Sequence, residues 1–348
     1  MKSLLKAILV AVLCSATVRA EDLMIQSFDL AGKISFNRVT NATSYRVEWA
    51  PSPGGPWTNS WNALDYLSAA GSGMITCSVP MCYRIVAELG IAMVAIPGGH
   101  NGGTNPLADG ESHSEYYPAN YSLTVNSFFM DVTAVTKEQW DLVYNWASVN
   151  GYIFDNTGSG KAPYHPVHTI NWYDSVKWCN ARSEKEGRTP CYTVSNAVYR
   201  TGQFSPVCDT NANGYRLPTV AEWEYAARGG LGSRRFPWGD TITHSNGNYF
   251  GNAAYSYDVS SIRGYDPVCE IGDMPYTAPA GSYAPNGYGL YDMANNVANW
   301  CWELQYDLSR HYRGGSWASM AVDIRCGSIN WNLANESKNI IGLRAVRK

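Results

Sequence analysis

The spacing of apolar and polar positions divides the chain into two parts. Up to about residue 90, runs such as Tyr45–Ala50 alternate aromatic or β-branched residues with polar ones, which is the period of a half-buried strand. No helical period occurs in this part, and segments rich in Pro and Gly separate the runs. The pattern therefore predicts a small all-β unit over residues 21–90.

Three helices are predicted in the second part, which begins near Met93. The first follows Thr136, which has Gln139 three residues on as in a capping box, and the second runs from near Asn171 to Gly187. The third lies in the segment LPTVAEWEYAARGG, with a capping box at its start and a glycine at its end. The chain after it has few periodic runs and many Gly, Asn and Pro residues. Side-chain hydrogen bonds, disulfides or metal must hold such irregular structure.

The first twenty residues have the pattern of an export signal. Lys2 and Lys6 precede the apolar run Ala7–Val12, and Val18–Ala20 gives a cleavage site with small flanking residues. The run is too short to span a bilayer, and no later apolar run is longer. We expect a bacterial protein that is secreted or periplasmic, mature from about Glu21, and not inserted in a membrane.

The charge balance argues against nucleic acid as a partner. Three of the 26 basic residues lie in the predicted export signal, which leaves 23 against 29 acidic residues. No run of Lys and Arg occurs, whereas a nucleic-acid surface needs a basic face to bind phosphates.

Eight cysteines remain after removal of the export signal, an even number that predicts disulfides in an oxidising compartment. No C-x-x-C spacing occurs, so neither a zinc ribbon nor a thioredoxin-type site is expected. Closeness in sequence suggests two pairs, Cys77 with Cys82 and Cys191 with Cys208. The others are Cys179, Cys269, Cys301 and Cys326.

Eight motifs from Met93 to Arg347 resemble, in order and spacing, the sulfatase-modifying factor family, whose founding members are the formylglycine-generating enzymes. They are MVAIPGG, SFFMDVTAVTKEQW, HPVHTINWYDSVKWCN, GYRLPTVAEWEYAARGG, FPWGD, APNGYGLYDMANNVANW, RGGSW and GLRAVR. The resemblance implies an α+β fold related to C-type lectins, with much irregular structure, over residues 91–348. The all-β part resembles the fibronectin-like sandwiches of secreted proteins, which implies a spacing or adhesive role.

The resemblance also implies a copper site that this chain lacks. Family enzymes oxidise a sulfatase cysteine to formylglycine with oxygen and a copper ion held by two cysteines, third and eighth after the serine of the GGS turn. That serine is Ser316 here, and the two positions hold Ser319 and Ile324. Soft sulfur ligands select Cu(I), so copper is not expected. Cys326 lies two residues further on, as a buried thiol, half of a disulfide or a lone redox thiol.

Calcium is the second cofactor that the resemblance implies, bound by oxygen ligands in the irregular part. At the first site, Asn residues replace the glycine and glutamate that the family usually has at positions 295 and 299, which removes one negative charge. The alternative is an Asn-rich turn that bonds its own backbone. The implied ligands are Asp292, Asn295, Val297 and Asn299 at the first site and Asn248, Tyr249 and Asp273 at the second. His165 and His168 are expected to be structural.

Three functions remain open on these residues. The leading hypothesis is a non-catalytic module that binds an unknown protein, peptide or glycan through the former active-site cleft. The alternatives are a protein-cysteine oxidase that recruits Cys326 or Cys301, and a variable ligand-binding protein of a diversity-generating system. The predicted cleft residues, rich in aromatic and amide groups, are Trp317, Ser319, Arg325, Asn330, Trp331 and Asn332.

Overall fold

The chain divides into two compact units, residues 1–90 and 91–348. The computed structural model describes the backbone of residues 25–28, 34–36, 42–50 and 82–89, and all of residues 91–348. The predicted export signal and Cys77 lie outside the described residues. No helix among the described residues is long and apolar enough to cross a membrane.

The described strands of the first unit form two antiparallel pairs. β1 (Ile25–Phe28) pairs with β2 (Ile34–Phe36), and β3 (Ala42–Ala50) pairs with β4 (Cys82–Leu89). The alternating run Tyr45–Ala50 is therefore a strand, as its period predicts. Packing of the two pairs into a fibronectin-like sandwich stays a prediction.

Twelve strands are found in residues 91–348, arranged in four small sheets. The sheet orders are β16-β8-β5, β6-β7, β10-β9-β11 and β14-β13-β12-β15, and only the β12–β15 pairing is parallel. The strands are β5 (Met93–Ile96), β6 (Gly99–Thr104), β7 (Asn120–Val125), β8 (Phe128–Asp131), β9 (Tyr192–Val194), β10 (Ala197–Val198), β11 (Val207–Cys208), β12 (Ala298–Leu304), β13 (Ser309–Arg313), β14 (Asn330–Leu333), β15 (Ile341–Gly342) and β16 (Val346–Arg347).

The three predicted helices are confirmed. They are α1 (Lys137–Ser148), α2 (Trp172–Lys185) and α3 (Val220–Arg228), and each begins with a complete capping box. α3 ends at Gly229, whose φ of 56° lies in the left-handed region that glycine adopts most readily. Three side chains of α3 are fully buried: Trp223, Ala226 and Ala227.

Large aromatic rings and one ion pair anchor the core around α2. The rings of Trp140 in α1 and Trp178 in α2 stack with centroids 5.8 Å apart, and both are fully buried. Arg182 of α2 donates to Asp131 at the end of β8 at 2.8 Å, with both side chains buried. This pair joins α2 to the β16-β8-β5 sheet.

The chain between α3 and β12 has no named strand or helix, as its composition predicts. Side-chain amides hold it to its surroundings. Asn286 donates to the carbonyl groups of Ala226 and Ala227 at 2.7 and 3.1 Å, and Asn296 bonds to both backbone groups of Ala278. These bonds satisfy backbone groups that no regular ladder reaches.

The predicted disulfide framework is not formed in residues 91–348, where all six cysteines are free thiols. The suggested bond between Cys191 and Cys208 is not formed in this structure, in which Cys208 lies opposite Tyr192 rather than Cys191. Closeness in sequence does not place the two sulfur atoms in bonding geometry. Burial raises the pKa of Cys191 to about 11 and that of Cys208 to about 12.

Candidate functional site

A tight glycine turn after β13 brings the two family thiol positions together. Gly314 and Gly315 have φ values of 93° and 62°, which other residues rarely adopt. A Cβ atom placed on Gly315 would overlap Cγ2 of Ile324 and lie 3.3 Å from Cβ of Ser319. The side chains at positions 319 and 324 therefore lie side by side over Gly315.

The groups at these two positions cannot replace a pair of thiolates. The Ser319 hydroxyl accepts a hydrogen bond from the backbone N–H of Ser316 at 3.0 Å. Ile324 is fully buried and packs in an apolar cluster with Phe236, Tyr249 and Tyr257. A hydroxyl and an alkyl group offer no soft ligand to Cu(I).

The two alternative thiols are buried in the core. Cys326 and Cys301 belong to the cluster that surrounds Trp223, and each is at most 1% exposed. Burial raises the pKa of Cys326 to about 12 and that of Cys301 well above its usual value. A reactive cysteine needs an accessible thiolate, and neither residue provides one in this conformation.

The six predicted cleft residues differ in burial and in contacts. Trp317 is buried against the rings of Tyr265 and Tyr276, and its Nε1 donates to the carbonyl of Asn339 at 3.2 Å. The Arg325 guanidinium is buried over the ring of Tyr117, 3.5 Å from its centroid. These two side chains fasten the fold instead of facing a ligand.

The predicted residues on β14 divide by face. Asn332 is buried and Asn330 half-buried, whereas Trp331 is 37% exposed and its ring meets that of Tyr306 at 4.9 Å. Leu333 is on the same face as Trp331 because side chains alternate along a strand. Leu308 adjoins them, since its carbonyl accepts from the N–H of Ala334.

We call Tyr306, Leu308, Trp331 and Leu333 the β14 face, since all four side chains are exposed and apolar in character. β14 is also the edge of its sheet, so one side of its backbone has no strand partner among the described residues. Sequence reasoning missed Tyr306 and Leu308. The alternation in LQYDLSR is the signal that could have found them.

The implied calcium ligands include three buried oxygen atoms without hydrogen-bond partners: Asp292 Oδ1, Asn295 Oδ1 and Asn248 Oδ1. Asp292 has a φ of 54°, a strained value for a residue with a side chain. Burial raises the pKa of its carboxyl to about 6. Buried polar atoms are normally satisfied, so these oxygens fit a bound cation.

The remaining implied ligands fit a cation less well. Asn299 Oδ1 accepts from Nε1 of Trp223 at 3.1 Å and from Nε of Arg344 at 3.4 Å, so it is already engaged. Asp273 is exposed to solvent. Among the described residues, no group of three or more His, Cys, Asp or Glu side chains is placed to hold a metal ion. A cation at the first site would therefore depend on Asp292, Asn295 and backbone carbonyl groups such as that of Val297.

The two histidines of the HPVH motif have structural contacts. His165 Nδ1 lies 2.8 Å from the Thr277 hydroxyl, and His168 Nδ1 lies 2.9 Å from that of Thr169. Burial lowers the pKa of His168 to about 4, which keeps the ring neutral at neutral pH.

Comparison with known proteins gives the chain a family context. Residues 87–348 match the sulfatase-modifying factor enzyme 1-like domain. A protein named chaperone protein LppX from Paenibacillus barcinonensis is 32% identical over 274 residues, covering 73% of this chain and 86% of its own. The formylglycine-generating enzyme of Thermomonospora curvata is 33% identical over 239 residues, covering 63% and 73%. The crystal structure of CarF, 24% identical, has a TM-score of 0.57 and covers 74% of this chain and 98% of that one.

Proposed function

Since this chain belongs to the sulfatase-modifying factor family, we propose that it is a non-catalytic member that acts as a protein-binding module. The observation that carries the proposal is the pair Ser319 and Ile324 at the positions of the two thiols. Family chemistry needs both sulfur ligands, and Ile324 fills its position with a buried alkyl group. A site that has lost both ligands leaves the fold free to serve as a scaffold.

The β14 face is the proposed binding surface, in place of the wider cleft that the sequence suggests. It combines exposed Trp and Leu side chains on the edge strand β14 with an exposed Tyr and an exposed Leu in the turn between β12 and β13. Aromatic residues are enriched in protein interfaces, and exposed apolar patches often mark them. The name of the relative from Paenibacillus barcinonensis, a chaperone protein, supports a protein partner.

The binding proposal is tested with an unfolded client, reduced and carboxymethylated α-lactalbumin. We expect the full chain to slow aggregation of the client, and the double variant Trp331→Ser/Leu333→Ser to lose this effect. Leu142→Ser is the matched control because Leu142 is 43% exposed on α1, outside the β14 face. Equal protection by all three proteins would contradict the assignment of the surface.

The competing function is an oxidase that recruits Cys326 or Cys301. It requires at least one of these buried thiols to reach solvent as a thiolate. Alkylation of the native protein with iodoacetamide, followed by peptide mapping, distinguishes the two functions. Protection of both cysteines supports the binding module, and rapid labelling of either supports the oxidase.

Calcium is proposed as a structural ion of this module. The partnerless oxygens of Asp292 and Asn295 support it, with the one carboxylate supplying the charge. The ion would supply fixed positive charge that ties the irregular segment together, and no step of binding depends on it.

A further inference from the structure

A cavity of about 940 Å³ lies within the irregular part of the second unit. It is lined by chain segments around residues 161–165, 243–245, 259–271 and 277–283, and it contains none of the residues of the β14 face. Small-molecule sites are concave and occupy roughly 300–1,000 Å³. The cavity is therefore large enough for a small organic ligand.

The wall of the cavity is apolar and open. Val259, Ile262, Val268 and Ile271 line it, and each of these aliphatic side chains is between 47% and 77% exposed. Four exposed aliphatic groups around one cavity leave apolar surface in water, which is unfavourable unless something covers it. An apolar ligand body would remove this surface from water.

The lining of the cavity includes one ammonium group, that of Lys161. Lys161 Nζ donates to the Ile271 carbonyl at 2.6 Å and forms no ion pair with the described residues. His165 lines the same cavity, and burial, followed by the charge of Lys161, lowers the pKa of its ring. Its Nδ1 is engaged with Thr277, whereas its Nε2 has no partner among the described residues. The residues that line the cavity therefore supply an ammonium group and an imidazole nitrogen without a partner.

Asp266, the acidic group in the lining, forms no ion pair with Lys161. Asp266 accepts hydrogen bonds from the Tyr283 hydroxyl at 2.8 Å and from the N–H of Val268 at 3.0 Å, so its own loop satisfies it. The thiol of Cys269 lies 3.7 Å from the Asp266 carboxylate, and burial raises its pKa to about 11. At neutral pH that thiol adds no charge.

We propose that this cavity binds a small amphipathic carboxylic acid. The carboxylate pairs with Lys161 and His165, and the apolar body lies against Val259, Ile262 and Val268. Charge-assisted hydrogen bonds fix the head group, and burial of apolar surface supplies the remaining affinity. The proposal is independent of the β14 face, because the two sets of residues do not overlap.

The test titrates the full chain with [1-13C]decanoate and follows the carboxyl resonance by NMR, with calorimetry for stoichiometry. We expect saturable binding at one site per chain. Lys161→Met should weaken it by about tenfold, the usual effect of removing a charged hydrogen-bonding partner. Ser261→Trp, which places a bulky ring on the lining, should abolish it. Decan-1-ol should bind about tenfold more weakly than decanoate and should not respond to Lys161→Met.

Leu142→Ser is the control and should bind decanoate as the wild type does. Circular dichroism of every variant verifies folding, and Lys161→Arg keeps the charge if Lys161→Met does not fold. Absence of saturable binding to the wild type overturns the proposal. Wild-type affinity for decanoate in both Lys161→Met and Ser261→Trp also overturns it. Loss of decanoate binding in Trp331→Ser would overturn it too, because the ligand would then bind at the β14 face.

Discussion

Ile324 and Trp331 lie seven residues apart and have opposite environments. Ile324 is fully buried where the family has a metal-binding thiol, and Trp331 is 37% exposed on an edge strand. Ile324 is part of the core, whereas the neighbouring strand presents apolar side chains to solvent. Under the proposed function, the position of the family thiol packs in the core and the adjoining surface is the one that binds.

The largest effect is expected at the buried position. Ile324→Ala removes packing from the cluster with Phe236, Tyr249 and Tyr257, and we expect the free energy of unfolding to fall by about 3 kcal/mol. Urea denaturation monitored by Trp fluorescence measures it. Ile324→Val should cost only about 1 kcal/mol. A loss below about 0.5 kcal/mol in Ile324→Ala would show that the position is not part of a packed core.

Ionisation of Asp292 should change the stability of the fold by nearly as much as Ile324→Ala does. Burial raises the pKa of its carboxyl to about 6 in the folded chain, above the value of about 3.9 in the unfolded chain. The folded state therefore holds the proton more tightly. Its stability should fall as pH rises from about 4 to 6, by about 3 kcal/mol. The free energy of unfolding is measured by urea denaturation across this pH range in EDTA. Asp292→Asn should lack this decrease, while the other groups titrate as in the wild type.

Calcium should reverse the effect of ionising Asp292. At pH 7 the carboxylate is charged and buried, and a cation beside it would stabilise the folded state. Calcium at a hundredfold excess over its Kd should add about 2.7 kcal/mol. Thermal unfolding with calcium and with EDTA measures the difference, with Asp292→Asn as the control that should show none. The same Tm under both conditions in the wild type would reject the calcium site.

The smallest effect on stability is expected at the exposed position. Trp331→Ser should lower the free energy of unfolding by about 1–2 kcal/mol, less than Ile324→Ala, because its ring is 37% exposed and loses chiefly the contact with Tyr306. The same substitution should remove most of the client binding, a separation that a purely structural residue would not show. A destabilisation of several kcal/mol would make Trp331 a core residue and end the contrast with Ile324.

The sequence predicts the helices of this fold well because their signals are local. Thr136 with Gln139 and Thr219 with Glu222 mark helix starts within four residues. The directions of the side chains that follow the Gly314–Gly315 turn depend on contacts with residues far away in the sequence. Local patterns therefore do not predict them. Trp317 is buried by Tyr265, more than fifty residues earlier in the chain.

The candidate sites show the same limit. That Ser319 and Ile324, rather than cysteines, stand third and eighth after Ser316 can be read directly from the sequence. That Asn299 is engaged by Trp223 and Arg344 is a tertiary fact. The cavity near Lys161 is formed by loops without a periodic pattern, so nothing in the spacing of residues indicates it.

The most direct test of the central claim is a formylglycine assay on the full wild-type chain. A sulfatase-type cysteine peptide is incubated with the protein, Cu(I) and oxygen, and the product is measured by mass spectrometry. Copper binding is measured on the same sample and on the double variant Ser319→Cys/Ile324→Cys. The account predicts no aldehyde product from the wild type and copper binding only in the double variant. Aldehyde formation by the wild type that disappears in Cys326→Ser or Cys301→Ser would contradict it.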